Sequence, residues 1–183
     1  QESGKRAQFM SMFDSALNAA QKNIFRLESL PRYTTAGEMS RLNAFLRNES
    51  YLDNELTEWM NLLKKIHAKG VSIQRVRVVS YPLSDYLRFE MDFWKKISKE
   101  QRVFLLNNEK FNEIIARESF RPLDYYLLDD SRVFEIQYTP KGAFIGMNPV
   151  ENKGKVDSYR KLKTNLLSIS TLMDVSMKGH NES

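Results

Sequence analysis

Apolar residues recur every three or four positions in several stretches of the chain, which is the pattern of helices that bury one face. The clearest stretch begins at Leu52 and ends near Ile66, with acidic residues early and lysines late, as the helix dipole favours. Gly70 suits the position that follows this helix, because glycine readily adopts a left-handed backbone. The same spacing predicts three further amphipathic helices, over residues 7–22, 84–97 and 156–173.

Two shorter helices are predicted from local signals. Thr35 and Glu38 have the spacing of a capping box, so we expect a helix that begins at Thr35 and runs to about Arg47. The segment EKFNEII, residues 109–115, is expected to form another short helix.

Runs of β-branched and aromatic residues between these helices predict strands. The strongest run is VSIQRVRVV, residues 71–79, and a short extended segment, IFRLESL, precedes it at residues 24–30. The turn residues Pro-Lys-Gly at 140–142 predict a hairpin between the last two runs. The other runs are VFLLN (103–107), DYYLLDD (124–130), VFEIQYT (133–139) and AFIGMN (143–148).

The order of these elements predicts one α/β domain spanning residues 1–183. N-terminal helices precede a β-α-β-α-β-β-β-α core at residues 71–173, in which helices cover both faces of a mixed, twisted sheet. A chain of 183 residues allows one full core, and its 7 glycines and 5 prolines give no sign of a linker. Residues 1–6 and 175–183 are expected to be disordered.

Composition and charge exclude several classes of site. The net charge of +5 is spread along the chain and permits contact with nucleic acid without predicting it. The chain has no cysteine, so disulfides and thiolate chemistry are excluded and a cytoplasmic location is expected. No apolar run is long enough for a membrane span or a signal peptide, so no membrane partner is predicted.

The sequence contains no recognisable catalytic set. Its two histidines, His67 and His180, do not form a plausible pair for metal binding or acid-base chemistry. A G-x-S-x-G elbow, a Walker A loop and a G-x-G-x-x-G motif are all missing. We therefore predict no catalytic residue, no metal and no cofactor.

Two arginines stand on the most strand-like segment of the chain. Side chains alternate across a strand, so Arg75 and Arg77 share a face at roughly 7 Å from each other. Both faces of a sheet between helices are covered, and buried guanidinium groups need carboxylate partners. The structural alternative is an ion network that joins helix, strand and hairpin, and the functional alternative leaves one arginine free in a cleft for an anion. In a third alternative, the strand is at the edge of the sheet and both arginines are exposed to water.

The expected carboxylate partners lie in apolar surroundings elsewhere in the chain. Glu28 follows an apolar extended segment, and Glu90 lies on the apolar stripe of its helix. Arginine suits such a site because its planar fork meets a carboxylate or a phosphate through two parallel bonds. The predicted ion-network or ligand site comprises Glu28, Arg75, Arg77, Tyr86, Arg88, Glu90, Asp129 and Asp130.

The final predicted helix carries a second candidate surface. Its outer face is basic, which usually reflects solvation but is also the best surface here for nucleic acid or an acidic partner. The residues concerned are Lys153, Lys155, Arg160, Lys161 and Lys163.

The order of motifs resembles an uncharacterised bacterial family of short proteins, often encoded beside helix-turn-helix regulators, especially in actinomycetes. The resemblance spans about residues 24–148, and the block from RVRVV to YLRFE is its most specific part. The Gly-Glu pair usual in that family is replaced here within SKEQRVFLLN. The matching positions are Arg26, Leu27, Glu28, Tyr33, Trp59, Gly70, Arg75, Val76, Arg77, Val78, Val79, Pro82, Tyr86, Arg88, Glu90, Asp124 and Asp130.

A fainter similarity is to one half of the phospholipase D fold. Asp129 or Asp130 precedes a hairpin and Gly146-Met147-Asn148, which is similar to the end of that superfamily's motif. The positions of the catalytic histidine and lysine hold Pro122 and Asp124, or Leu123 and Tyr125. A phosphohistidine mechanism requires the histidine, so this resemblance implies a non-catalytic, sensor-like domain.

Three functions remain open at this point. The first is a non-enzymatic binding or regulatory module that acts with a protein partner such as a DNA-binding regulator. The second is a phosphate-ligand or nucleotide site, including an enzyme acting on phosphodiesters, in which Arg75, Arg77 and Arg88 hold the anion. It requires an arginine that opens on a cleft without a carboxylate partner. The third is direct nucleic-acid binding through the basic final helix.

Overall fold

The helices and strands predicted from the sequence are all present in the computed structural model, which describes residues 2–174. The helices are α1 (Glu2–Ala19), α2 (Glu38–Leu46), α3 (Asn54–Ala68), α4 (Asp85–Lys96), α5 (Asn108–Ile115) and α6 (Lys153–Ile169). The strands are β1 (Asn23–Glu28), β2 (Ser72–Val79), β3 (Arg102–Asn107), β4 (Asp124–Leu128), β5 (Arg132–Tyr138), β6 (Phe144–Pro149) and β7 (Thr171–Leu172).

Side-chain caps fix the starts of the two central helices. The Asp53 carboxylate accepts the Leu56 N–H at the start of α3, and the Ser84 hydroxyl accepts the Leu87 N–H at the start of α4. Gly70 has a φ of +85° after α3, as its position predicted. β2 and its arginines therefore lie between Gly70, which follows the end of α3, and Ser84, which caps the start of α4.

The capping box predicted for α2 is wrong. The helix begins at Glu38 after Gly37, which has no side chain to cap it. Thr35 contributes only its backbone carbonyl, which accepts the Glu38 N–H at 3.1 Å. Glu38 is consequently free to turn toward the interior of the protein.

The ends of the chain also differ from expectation. α1 begins at Glu2, so residues 2–6, which we expected to be disordered, are helical. α6 ends at Ile169 rather than at 173, because residues 171–172 leave it to pair as β7 with the edge of β3. Residues 1 and 175–183, also expected to be disordered, lie outside the described residues.

The sheet has seven strands in the order β6-β5-β4-β1-β2-β3-β7. β1, β2 and β3 are parallel, and every other pairing is antiparallel. One apolar core packs α1, α3 and α4 against one face, and a second packs α5 and α6 against the other. The predicted fold class, a mixed α/β domain with helices on both faces of the sheet, is confirmed.

The register of the central strands positions the charged residues. Arg26 of β1 lies opposite Arg75 of β2 and opposite Tyr126 of β4, and Glu28 lies opposite Arg77. Residues directly opposite each other point to the same face of a sheet. The three arginines and Glu28 therefore share the face that α3 and α4 cover.

A third apolar cluster lies beneath α2, beyond the charged residues. It contains Tyr33, Leu42, Tyr51, Tyr86 and Phe89. The charged residues are thus enclosed between the main core and this smaller aromatic cluster. No helix within residues 2–174 is both long and apolar enough to cross a membrane.

Candidate functional site

A cleft of about 210 Å³ opens where the carboxyl ends of β1 and β2 meet helices α2, α3 and α4. Its volume is below the roughly 300–1,000 Å³ of sites for drug-sized ligands, so it suits a small metabolite. It is lined by Arg26, Glu28, Tyr33, Thr35, Glu38, Arg41, Leu56, Trp59, Arg75, Tyr86, Phe89, Glu90, Phe93, Trp94, Tyr126 and Tyr138.

Arg77 lies behind this cleft and is fully used by the protein. Its side chain is 0% exposed and forms an ion pair with Glu90, whose Oε1 accepts bonds from Nη2 at 2.9 Å and from Nε at 3.2 Å. Its Nη1 donates to the carbonyl oxygens of Leu30 at 2.5 Å and Val78 at 3.1 Å. Burial raises the pKa of Glu90, and the Arg77 guanidinium opposes that rise. Arg77 is thus buried and paired with a carboxylate, as predicted, and its donors are directed to groups of the protein itself.

Arg75 lines the cleft and forms an ion pair with Glu28. Arg75 is 8% exposed, and its Nε has no hydrogen-bond partner. Burial lowers the pKa of the Arg75 guanidinium, and the neighbouring Arg26 guanidinium adds to this effect. A buried N–H without a partner is uncommon in folded proteins, and this one can donate to a bound acceptor.

Arg26 is the buried arginine that has no carboxylate partner in the described part of the chain. It is 6% exposed, lines the cleft and takes part in no ion pair within residues 2–174. Its Nη1 donates to the Leu27 carbonyl at 2.9 Å and its Nη2 to the Tyr138 hydroxyl at 2.8 Å. The guanidinium carbon also lies 4.9 Å from the centre of the Tyr126 ring. These neutral contacts orient the guanidinium but leave its charge without an ion pair.

The nearby carboxylate of Asp124 is occupied elsewhere. Its Oδ1 accepts the Ser29 N–H at 3.0 Å and the Ser29 hydroxyl at 2.5 Å, and its Oδ2 accepts the Tyr33 hydroxyl. Burial raises the pKa of Tyr33, and the Asp124 charge raises it further. Asp124 therefore fastens the chain after β1 to β4, while it acts on Arg26 only through the field of its charge.

The opposite wall of the cleft belongs to α2 and is acidic. The Arg41 guanidinium lies 2.7 Å from Asp53, 2.9 Å from Glu55 and 4.0 Å from Glu38. Glu38 Oε2 is buried and has no hydrogen-bond partner. Burial raises the pKa of Glu38, partly offset by Arg41 and by a hydrogen bond with Tyr86. An unpartnered carboxylate oxygen thus faces a cleft whose other wall holds Arg26.

Aromatic side chains complete the lining. Trp59 of α3 and Trp94 of α4 both border the cleft, and they are the two tryptophans of the chain. Phe89 and Phe93 of α4 add apolar surface. Apolar and aromatic surface beside convergent polar groups is typical of small-molecule sites.

The structure brings together five of the eight predicted site residues and separates three. Glu28, Arg75, Tyr86 and Glu90 line the cleft, with Arg77 directly behind it. The prediction was wrong for Arg88, which is 59% exposed and pairs with Asp85 on the outer face of α4. It has no access to the cleft.

Asp129 and Asp130 were also wrongly placed. They follow β4, which runs antiparallel to β1, and so lie at the amino end of β1, roughly 16 Å from Glu28. Asp129 accepts backbone N–H groups at residues 21–23, and Asp130 binds Asn23 and Lys163. Their role is to hold the turn after β4 against the start of β1 and against α6.

The basic face of α6 is largely neutralised by neighbouring carboxylates. Lys155 pairs with Glu135 at 3.0 Å, and Lys163 pairs with Asp130 at 2.8 Å. Arg160 pairs with Asp157 at 3.1 Å. Of the five residues proposed for nucleic acid, Lys153 and Lys161 form no ion pair within the described residues, so this surface is less basic than its sequence suggested.

Sequence reasoning missed the most informative residues of the cleft. Arg26 was missed although Glu28, two residues later, was predicted. Both alternate with apolar residues on β1, just as Arg75 and Arg77 do on β2, so a signal for Arg26 was available in IFRLESL. Glu38 was assigned to a capping box, which concealed its inward orientation. No sequence signal indicated that Arg41 and Trp59 would meet at the same cleft. Within residues 2–174 no group of three histidine, aspartate or glutamate side chains is arranged to hold a metal ion.

The fold and the cleft define a mixed α/β domain with a charged, aromatic-lined cavity at the carboxyl ends of two parallel strands. Residues 11–174 match the family described as "Domain of unknown function (DUF6879)", and the chain belongs to this family. No curated protein matches the sequence at a significant level.

Several solved structures match the chain, among them the following two. One is Nuc from Salmonella typhimurium, a phospholipase D family member, with a TM-score of 0.51 and 9% identity over 90% of each chain. The other is TrmBL2, an archaeal chromatin protein described as showing a novel mode of DNA binding, with a TM-score of 0.47 and 11% identity over 90% of this chain and 50% of that chain. The first likeness supports the predicted phospholipase D-like architecture, and at this identity it concerns the fold alone.

Proposed function

We propose that this protein is a non-enzymatic binding module that holds a small anionic ligand in the cleft, with Arg26 as the group that receives the anion. The observation that carries this proposal is the burial of Arg26 without an ion pair, at the wall of a cavity. Burial of a cation without a carboxylate partner costs desolvation free energy, which hydrogen bonds to neutral groups offset only in part. A ligand anion would remove that cost and gain a charge-assisted bond.

The neighbouring groups support the same role. The Arg75 Nε, which has no partner, supplies a second donor on the strand directly beside Arg26. Arg77, by contrast, is satisfied by Glu90 and two carbonyl oxygens, so the anion site moves from the predicted Arg75, Arg77 and Arg88 to Arg26 and Arg75. The proposal for a binding module without catalysis also rests on the residues at the positions of the histidine and lysine of the phospholipase D motif, which are Pro122 and Asp124, or Leu123 and Tyr125.

We further propose that occupancy of the cleft is passed to a protein partner such as a DNA-binding regulator, in keeping with the family resemblance. α2 is the element suited to this, because its inner side carries Glu38 and Arg41 to the cleft. Its outer side exposes Met39 and Leu46 at 46% and 48%. A ligand that moves α2 would therefore alter an exposed apolar surface.

The binding proposal can be tested with phenylpropionate, a carboxylate with an aromatic body, and with inorganic phosphate. Since Trp59 and Trp94 both border the cleft, intrinsic fluorescence reports its occupancy. We expect a saturable change with phenylpropionate in the wild-type protein. The variant Arg26→Gln is expected to bind it about tenfold or more weakly, which corresponds to about 1.4 kcal/mol or more.

Two further variants make this result decisive. Arg26→Lys keeps the charge and is expected to retain more affinity than Arg26→Gln. Arg102→Gln removes an exposed arginine of β3 that does not line the cleft, so it is expected to bind like the wild type. Equal affinity in wild type and Arg26→Gln, or no saturable response to either anion, would overturn the proposed function.

A further inference from the structure

We infer that the ligand of this cleft is a zwitterion of the amino-acid class, with its carboxylate at Arg26, its ammonium at Glu38 and an apolar or aromatic side chain against the aromatic wall. This inference rests on the proposed function and adds to it the chemical class of the ligand. It is carried by the unequal distribution of charge between the two walls of the cavity.

The sheet wall of the cleft has an excess of cations. Arg26 and Arg75 are neighbours across β1 and β2, and Glu28 is the one carboxylate that forms an ion pair with either of them in the described residues. The pair of Arg77 and Glu90 behind them is balanced. This wall therefore offers one guanidinium, that of Arg26, to an incoming anion.

The α2 wall has an excess of anions. Arg41 is the cation of this wall, and three carboxylates lie within 4.0 Å of it, those of Glu38, Asp53 and Glu55. Asp53 and Glu55 are closer to the guanidinium than Glu38 is, and they lie at the exposed start of α3. Glu38 is thus left with a buried oxygen that no protein group satisfies, and an ammonium can donate to it.

The charges of the lining as a whole also favour a zwitterion over a phosphate. Three arginines and three glutamates border the cavity, so their formal charges cancel. A phosphate dianion would bring two negative charges into a cavity that already holds Glu28, Glu38 and Glu90, and like charges at short range repel. A ligand that carries one charge of each sign adds no net charge to the cavity. Its carboxylate matches the Arg26 guanidinium, which has no ion pair in the described residues, and its ammonium matches the Glu38 oxygen that has no hydrogen-bond partner.

The volume and lining of the cavity indicate the size of the ligand and the character of its side chain. Its volume of about 210 Å³ accommodates a molecule of amino-acid size. Trp59, Phe89 and Phe93 offer apolar and aromatic surface for a side chain of similar character.

Three matched probes separate the charges of the ligand. L-phenylalanine carries both groups, phenylpropionate lacks the ammonium and phenethylamine lacks the carboxylate. We expect L-phenylalanine to bind about tenfold or more tightly than either of the other two in titrations followed by tryptophan fluorescence. L-leucine is expected to show the same advantage over its deaminated analogue.

The variant Glu38→Gln identifies the ammonium site. It is expected to lower the affinity for L-phenylalanine to that for phenylpropionate, while phenylpropionate itself binds as it does to the wild type. Glu58→Gln, which removes an exposed carboxylate of α3 outside the cleft, is the matched control and should change neither affinity. Circular dichroism of each variant checks that the fold is retained.

The outcomes distinguish this inference from the proposed function. If phenylpropionate binds through Arg26 and L-phenylalanine binds no more tightly, the zwitterion is wrong and the anion site stands. If Glu38→Gln leaves the preference for L-phenylalanine intact, the assignment of the ammonium to Glu38 is wrong. If none of the three probes binds, the zwitterion is wrong, and if inorganic phosphate does not bind either, the proposed function is overturned as well.

Discussion

At the scale of single residues, the three buried arginines of the central strands differ in their partners rather than in their burial. Arg77 donates to a carboxylate and to backbone carbonyl groups. Arg75 pairs with the Glu28 carboxylate, but its Nε–H has no hydrogen-bond partner. Arg26 has neutral partners only. Adjacent positions on one sheet face therefore support two roles. One is structural, and the other leaves charge available to a ligand.

The structural role of Arg77 predicts a strong coupling with Glu90. Arg77→Met leaves the buried Glu90 carboxylate unpaired and is expected to lower the free energy of unfolding by about 3–5 kcal/mol. The double variant Arg77→Met with Glu90→Leu removes both charges and is expected to lose less than the single variant. Urea unfolding of both, followed by circular dichroism, measures the difference. A double variant less stable than Arg77→Met would contradict this assignment.

Asp129 predicts a dependence of stability on pH. Burial alone would raise the pKa of Asp129, but hydrogen bonds from the Lys22, Gln21 and Asn23 backbone outweigh it, and the pKa is lowered. A lowered carboxylate pKa contributes stability above the unfolded-state value, and that stability is lost as pH falls through the folded-state value. Asn tolerates the positive φ of this position, so Asp129→Asn removes the charge without strain.

The measurement compares unfolding of Asp129→Asn and wild type at neutral and at strongly acidic pH. We expect the variant to be less stable by about 1–3 kcal/mol at pH 7. The difference should shrink in acid, once the wild-type carboxylate is protonated. A gap that stays constant or widens as pH falls would show that the Asp129 charge contributes nothing.

The residues predicted correctly were those whose surroundings are local in sequence. Glu28 and Glu90 each lie among apolar residues, which indicates that they are buried. Their pairing with the arginines could therefore be predicted from the sequence. Asp129 and Asp130 were misplaced because their position depends on the direction of β4, which periodicity does not encode. Arg88 was misplaced because it lies two residues from Glu90 on a helix, where about 200° separates their directions.

At the scale of elements, α2 forms one side of the cleft and is held there by two attachments. It packs on α4 through Leu42 and the aromatic cluster beneath it. Its other anchor is Arg41, which joins α2 to the start of α3 through Asp53 and Glu55. Two attachments of this kind hold the acidic wall of the cavity in place.

Loss of the Arg41 anchor should loosen α2 selectively. In Arg41→Gln the amide hydrogens of residues 38–46 are expected to exchange about tenfold or more faster, because local opening then costs less free energy. Exchange in β2, which lies in the centre of the sheet, should stay unchanged. Hydrogen exchange read by mass spectrometry makes the comparison, with the exposed Arg47→Gln as control. Equal protection of residues 38–46 in both variants would contradict the anchoring role.

The sequence predicted which helices and strands are present, but it did not predict where all of them begin and end. Periodicity identified α1, α3, α4 and α6, because burial of one face leaves a regular trace in sequence. Local signals identified α2 and α5, and runs of β-branched and aromatic residues identified β1 to β6. β7 was missed since two residues are too short to show alternation. The start of α2 was misread because Thr35 and Glu38 match a capping box, but the inward turn of Glu38 overrides that local preference.

At the scale of the whole molecule, the cleft follows from the order of the strands. The chain builds β1, β2 and β3 outward on one side, then crosses through α5 to place β4 on the other side of β1. In open α/β sheets, ligands bind outside the carboxyl ends of strands near such a switch. The order of helices and strands along the chain predicted the fold class. The order of the strands within the sheet, which places β4 beside β1, is set by long-range packing.

The central claim is that Arg26 is the available cation of a ligand cleft, and a crystal structure of the protein with bound phenylpropionate tests it most directly. We predict that the carboxylate of phenylpropionate lies within hydrogen-bond distance of the Arg26 guanidinium, with its ring among Trp59, Phe89 and Phe93. A carboxylate bound at another arginine without contact to Arg26, or an Arg26 side chain paired with Asp124 in that crystal, would contradict the claim.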